Sequence, residues 1–230
     1  MANMPHRVVI LQHPREKKEP LATAPLLTEV LGAERVLVRP GLSWPNLAKA
    51  LGISAEPGQP GPDARRWAVL YLGARAAGKT LPRPAEGTVA AYWVSAKNEF
   101  VPPTPEELKS LTGLMVIDGT WAQAKTLWWR NPWLLKLRRL VIIPGPGKTS
   151  TYSRVRREPR REAMSTLESV AMALTAMGES PATETALLSR LEKLIQENPA
   201  PASGGSGSGH RRHRRRRGPK GPRRPPEKSS

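Results

Sequence analysis

The chain has 230 residues, 37 Lys and Arg against 19 Asp and Glu, a net charge of +18, and no cysteine. That length suffices for one substantial domain with its own core or for two small ones, and the lack of cysteine excludes disulfides and thiolate metal sites and points to a reducing, intracellular setting. The charge makes polyanions the expected partners, and no apolar run approaches the ~20 residues a membrane span needs, so a cytoplasmic protein without a membrane partner is expected.

Along the chain, strand-like and helix-like segments alternate. Arg7–Gln12 is a short apolar run ended by His13-Pro14, and Leu21–Leu31 carries apolar residues at helical spacing up to Gly32. Arg35–Arg39 alternates like a strand, Pro45–Leu51 has a helical pattern ended by Gly52, and Gly58–Pro62 is loop by composition. Trp67–Leu72 and Val89–Val94 have the pattern of buried strands; Pro105–Leu111 opens with Pro-Glu-Glu, a helix-start signature. Leu114–Ile117 is the most strand-like run, closed by Asp118-Gly119, and Trp121–Trp129 is helical. Leu140–Ile143 is a further strand, broken by Pro144-Gly145-Pro146-Gly147, and helices are expected at about 162–177 and 183–196. This alternation predicts an α/β fold around a mostly parallel sheet with helices on both faces.

Several clusters carry possible chemistry. Asp118-Gly119-Thr120-Trp121 delivers a carboxylate to the end of a strand where a helix begins, the edge at which open α/β sheets bind ligands. Thr120 is placed to cap that helix, whose free N–H groups favour anionic atoms; a plain helix cap with Trp121 in the core accounts for the same residues. The PGPGKT segment, 144–149, ends like a phosphate-binding loop, but that template requires glycine at the position of Ile142. A nucleotide triphosphatase is therefore disfavoured, and a tight loop with accessible backbone remains. Five arginines fall within Arg154–Arg161, beside Tyr152. They suit phosphate contacts with a base stacked on the ring, or form a solvated charge run. Ser165 and Thr166 open a late amphipathic helix, where their hydroxyls cap it or meet a ligand; His13, beside Pro14, is more simply structural.

Residues 1–198 are expected to form the folded domain and 199–230 a disordered tail, a Gly/Ser linker followed by an Arg-rich stretch without apolar anchors. Residues 201–230 hold ten Lys and Arg and one acid, half of the net charge. Such a tail serves as a nonspecific nucleic-acid tether, without sequence readout of its own.

In their order, HPRE after the first strand, TAPLL, DGTW at 118–121, YSRVRREPR and STLE at 165–168 resemble the DTW domain family over about residues 7–178. The resemblance implies a SPOUT-like α/β fold with a knotted cofactor pocket. It implies S-adenosylmethionine as donor of a 3-amino-3-carboxypropyl group to N3 of a tRNA uridine, with methylthioadenosine released. For that chemistry Asp118, a carboxylate at the sheet edge, is the candidate general base, and the resemblance further implies Thr120, Trp121, Ser165 and Thr166 around the methionine portion. Pro144, Gly145 and Gly147 would meet the adenosine portion through backbone groups. Arg154, Arg156 and Arg157, with Lys125 and Arg130, are the candidate tRNA contacts; no metal is expected. Many members of the family carry paired cysteines ahead of the first strand; none is present here, and the Arg-rich tail is expected to take over the RNA contact such a module supplies. The alternatives are an RNA methyltransferase of the same broad fold, whose product would be S-adenosylhomocysteine, and a noncatalytic RNA-binding protein.

Overall fold

The structure is a computed structural model that describes residues 5–16, 23–54, 60–70, 82, 84–147 and 165–198. Seven strands form one sheet: β1 (Arg7–Gln12), β2 (Val36–Pro40), β3 (Trp67–Leu70), β4 (Val89–Val94), β5 (Phe100–Val101), β6 (Gly113–Asp118) and β7 (Arg138–Pro144). Among the described residues, six α-helices accompany them: α1 (Ala24–Leu31), α2 (Leu47–Ala50), α3 (Pro105–Lys109), α4 (Trp121–Arg130), α5 (Thr166–Ala176) and α6 (Pro181–Glu197). The order across the sheet is β2-β1-β6-β3-β7-β4-β5. The first five of these strands are parallel, while β4 runs antiparallel to β7 and β5 antiparallel to β4.

Strand alternation sends successive side chains to opposite faces, and each face has its own core. Val8, Ile10, Ala68, Leu70, Leu114, Val116 and Leu140 pack under α1, α3, α5 and α6, with Leu27, Leu174 and Leu187 among the buried contributors. Val9, Leu11, Val69, Met115 and Ile117 face the other way, onto α2, α4 and the 3-10 turn at Pro132–Lys136 through Leu47, Leu127 and Leu134. The mostly parallel sheet with helices on both faces is thus present.

Three segments depart from the sequence reading. The helix expected over 45–51 is a single turn, because Asn46 caps it from inside the expected span and Gly52 follows close behind. The expected buried strand 89–94 is half-buried over its first four residues, since it lies near the sheet edge beside the two-residue strand β5. The helix expected from 162 begins at Thr166, capped by Ser165; residues 162–164, like Tyr71 and Leu72 at the end of the third strand, lie outside the described residues.

The topology picks out one place in this sheet. From β1 the chain leaves through α1 toward β2; from β6 it leaves through α4 in the opposite direction, past β3, to β7. The two connections lie on opposite faces. Strands β1 and β6 are neighbours, so the crevice between their carboxyl ends is the switch point at which open α/β sheets bind ligands.

Candidate active site at the carboxyl edge of the sheet

Parallel pairing of β1 with β6 brings Gln12 opposite Asp118 at that crevice. Both are last residues of apolar strands and both are buried, Asp118 to 7% exposure and Gln12 to 4%. Gln12 Nε2 donates to Asp118 Oδ2 at 3.0 Å. On the other oxygen, Thr166 Oγ1 donates to Oδ1 at 2.8 Å. Burying a carboxylate is costly without hydrogen-bond partners, and here, among the described residues, each oxygen accepts one hydrogen bond of the two its lone pairs can take.

Two helices start around this carboxylate. Helix α4 begins three residues beyond it, with Thr120 as N-cap: Gln123 N–H donates to Thr120 Oγ1 at 3.5 Å, and Thr120 N–H donates back to Gln123 Oε1 at 2.5 Å. Helix α5 begins with a second capping box, in which Ser165 N–H donates to Glu168 Oε2 at 2.8 Å and Glu168 N–H to Ser165 Oγ at 3.2 Å. Ser165 and Glu168 are both buried. The boxes engage the N–H groups of the cap and the third residue. The first two N–H groups of each helix lie outside the box, at the positive pole of the helix dipole.

Close chain approach fixes the turn between strand and helix. A Cβ on Gly119 would stand 2.9 Å from Gln123 Cβ and 3.4 Å from His13 Cβ. His13 itself is tied into the neighbouring turn: its N–H donates to the Asp118 carbonyl oxygen at 3.0 Å, and its Nδ1 accepts from Arg15 N–H at 3.3 Å. At the carboxyl end of β7, Gly145 N–H donates to Thr88 O and Gly87 N–H to Pro146 O, both at 2.8 Å. A Cβ on Gly145 would meet Ala85 O at 2.1 Å, so only glycine lets the two loops join. With β3 between β6 and β7, this loop is two strands across the sheet from Asp118.

The structure therefore brings Asp118, Thr120, Ser165 and Thr166 to one edge, with Pro144, Gly145 and Gly147 along the same edge of the sheet. Gln12 was not among the residues singled out in the sequence. Its signal is a polar residue closing an apolar run in register with Asp118, visible only once β1 and β6 are paired. Trp121 is 47% exposed, so the core position open to it in the sequence is not the one it takes; the buried stripe of α4 is Ala124 and Leu127. Lys125 and Arg130 lie on the exposed side of α4 with Trp129, along a shallow groove of about 410 Å³. Arg154, Arg156 and Arg157 fall outside the described residues. A groove of about 610 Å³ at the opposite edge, lined by Trp93, Leu135 and Arg138 among others, contains none of the candidate residues. Among the described residues, no group of three His, Asp or Glu side chains could hold a metal ion, and no helix is long and apolar enough to cross a membrane.

Comparison with known proteins adds a family to this geometry. A profile of the DTW domain matches residues 1–198. The chain belongs to the DTW domain family. This DTW protein is similar to tRNA-uridine aminocarboxypropyltransferase 2 of Mus musculus, 28% identical over 189 residues, covering 80% of this chain and 52% of the relative. It is similar to the protein of the same name from Drosophila melanogaster, 28% identical over 193 residues, covering 83% and 63%, and to that of Macaca fascicularis, 27% identical over 192 residues, covering 80% and 52%. The DTW chain thus spans about half to two thirds of the length of these relatives. No solved structure matches it.

Proposed function

We propose that this DTW protein transfers the 3-amino-3-carboxypropyl group of S-adenosylmethionine to N3 of a tRNA uridine. The observation that carries the reading is the Gln12–Asp118–Thr166 network: a buried carboxylate, fixed from two sides, at the topological switch point and between two helix starts. The names of the relatives support the substrate and the reaction type. The donor set also suits the amino-acid end of S-adenosylmethionine, since hydroxyls at two helix starts match a carboxylate. The Pro144–Gly147 loop offers backbone groups to the adenosine end. A SPOUT-like knot around this pocket belongs to the same proposal.

In this mechanism Asp118 takes the N3 proton of the uridine through the lone pair its partners leave open. Thr166 and Gln12 hold the carboxylate in place for that transfer, and Thr120, Trp121 and Ser165 flank the donor. The sulfonium of the donor activates the carbon that N3 attacks, so the protein's larger task is alignment. The N3–C bond forms as the C–S bond breaks, the proton resides on Asp118, and methylthioadenosine leaves. Because N3–H lies on the Watson–Crick edge, the uridine must be unpaired or flipped out. Lys125 and Arg130, together with Arg154, Arg156 and Arg157, contact phosphates, and the tail adds a salt-sensitive tether.

The test is incubation of the full chain with unmodified tRNA and S-adenosylmethionine, followed by nucleoside mass spectrometry and analysis of the small product. Aminocarboxypropyluridine with methylthioadenosine is expected, and both should vanish in Asp118→Asn. S-adenosylhomocysteine with a methylated nucleoside would replace this reading by methyl transfer, and RNA binding without turnover by a noncatalytic role.

A further inference from the structure

The solvent side of α4 has an unusual composition. Trp121, Lys125 and Trp129 follow one another at four-residue intervals, so they line one stripe of the helix. Trp129 is 77% exposed and Trp121 47%. The adjoining stripe is Ala122, Thr126 and Arg130, and these residues with Lys125 and Trp129 border the shallow groove. The helix carries no acid anywhere in its sequence, WAQAKTLWWR. Trp129 stands outside the core beneath the helix: the sheet contacts of α4 run through Ala124, Leu127 and Trp128. The exposed Trp129 indole between Lys125 and Arg130, on a helix without an acid, fits a stacked base flanked by phosphates.

The stripe is also continuous with the candidate site. Only Gly119 and Thr120 separate Trp121 from Asp118, and Trp129 lies about 12 Å farther along the helix axis. A uridine whose Watson–Crick edge must be open arrives within an unpaired segment of RNA. We propose that the face of α4 formed by Lys125, Trp129 and Arg130 is a stacking platform for the unpaired nucleotides flanking the target base, with Trp129 as its anchor and Lys125 and Arg130 on their phosphates. This deepens the proposed function and rests on RNA being the substrate. It assigns the selection of single strands to Trp129 of α4, a task the Arg-rich tail, reading phosphates alone, does not perform.

The experiment measures anisotropy of a labelled twelve-nucleotide oligouridine, and of its duplex with oligoadenylate, against the full chain at raised salt. Trp129→Ala should weaken single-strand binding roughly 5- to 150-fold, the equivalent of about 1–3 kcal/mol per stacked base. Trp129→Phe should recover most of it, and duplex binding should move less than twofold. Lys125→Ala and Arg130→Ala should each flatten the log–log salt dependence for the single strand by about 0.7. Photocrosslinking of a 4-thiouridine oligonucleotide gives a second readout on the unaltered chain, with adducts expected on the α4 peptide. The proposal is overturned by equal losses on single strand and duplex, or by adducts confined to segments other than α4. It is also overturned if Trp129→Ala changes the mass of the particle in sedimentation while RNA affinity stays put, which would make the stripe a self-association surface. Its fate separates from that of the reaction: single-strand binding through α4 without methylthioadenosine keeps the platform and removes the transfer, whereas unchanged KM for tRNA in Trp129→Ala with normal product does the reverse.

Discussion

Thr166→Val is the sharpest test of the candidate site, because it deletes one hydrogen bond and almost nothing else. Valine keeps the branched shape at the first position of α5, and the N-cap of that helix, Ser165, is untouched. What disappears is the donor 2.8 Å from Asp118 Oδ1, leaving, among the described residues, the Gln12 amide on the other oxygen to anchor the carboxylate. Hydrogen bonds to charged groups contribute about 1.5–3 kcal/mol, which at 1.36 kcal/mol per decade is roughly a 10- to 150-fold effect. With the bond gone, the carboxyl can turn about its last torsion, so the loss should fall on kcat, where alignment matters, with KM for tRNA and for S-adenosylmethionine within about twofold. Folding should suffer less: about 1 kcal/mol for an unmatched acceptor lowers the midpoint of thermal unfolding by about 2–4 °C in a domain of this size. Steady-state release of methylthioadenosine and a thermal melt measure both, and Thr166→Ser, which restores the hydroxyl, should restore kcat. If Thr166→Val turns over within twofold of the parent while Asp118→Asn is inactive, the orientation of Asp118 is set elsewhere and the reasoning fails.

Gln12→Leu should act in the same sense through Oδ2, and the double variant with Thr166→Val should lose less or more than the product of the two, since neighbours sharing one carboxylate are coupled. Gly145→Ala places a Cβ against the Ala85 carbonyl oxygen and must part the two loops; a higher KM for S-adenosylmethionine with a smaller change in kcat is expected from initial rates. Asn131 is fully buried and holds four partners, donating to Leu42 O and Leu127 O and accepting from Trp44 N–H and Trp133 Nε1–H; Asn131→Ala should cost about 3 kcal/mol or more in urea unfolding, from several buried groups left unpaired. Burial works against the charge of Glu179, but hydrogen bonds from His6 and Arg35 and the charge of Arg35 outweigh it, so its carboxyl titrates below the ordinary value of 4.5. A depressed folded-state value adds stability that is present above 4.5 and lost as pH falls through the folded-state value, so in urea melts the gap between the parent and Glu179→Gln should be widest near neutrality and should narrow in acid.

The strands were legible where apolar runs meet strong breakers. Arg7–Gln12 and Val89–Val94 have the same limits in sequence and structure, the first because His13-Pro14 cannot extend it. Leu114–Ile117 was extended by one residue on each side, since Gly113 and Asp118 still pair with β1. Strand β5 was not legible, because two residues paired only to β4 leave no periodic trace. Nor was the strand order: the pattern of β6 is that of any buried strand, and nothing local says that it inserts between β1 and β3. The site divides in the same way. Asp118, Thr120, Ser165 and Thr166 could be singled out from strand-end and cap positions, but the pairing of Asp118 with Gln12 and Thr166 spans 106 and 48 residues and depends on the strand order.

That order also explains why the carboxylate points where it does. Val8 and Ile10 on β1, with Leu114 and Val116 on β6, belong to the core under α1 and α5, and the two-residue period carries the same face on to Gln12 and Asp118. The network is therefore the polar end of a hydrophobic column, reached one step beyond the last aliphatic pair. A slip of one residue between β1 and β6 would set Gln12 against Ile117 and turn one of the two strands inside out, exchanging its buried residues between cores already filled by different helices. The packing that stabilises the sheet thus fixes the register, the register sets Gln12 beside Asp118, and the N-terminus of α5, seated on the same face, supplies Thr166. Polar substitution deep in the column, at Val116 for example, should then impair the site through the register as well as through stability, whereas substitutions on the solvent side of α4 should leave Asp118 in place and alter only what is presented to it.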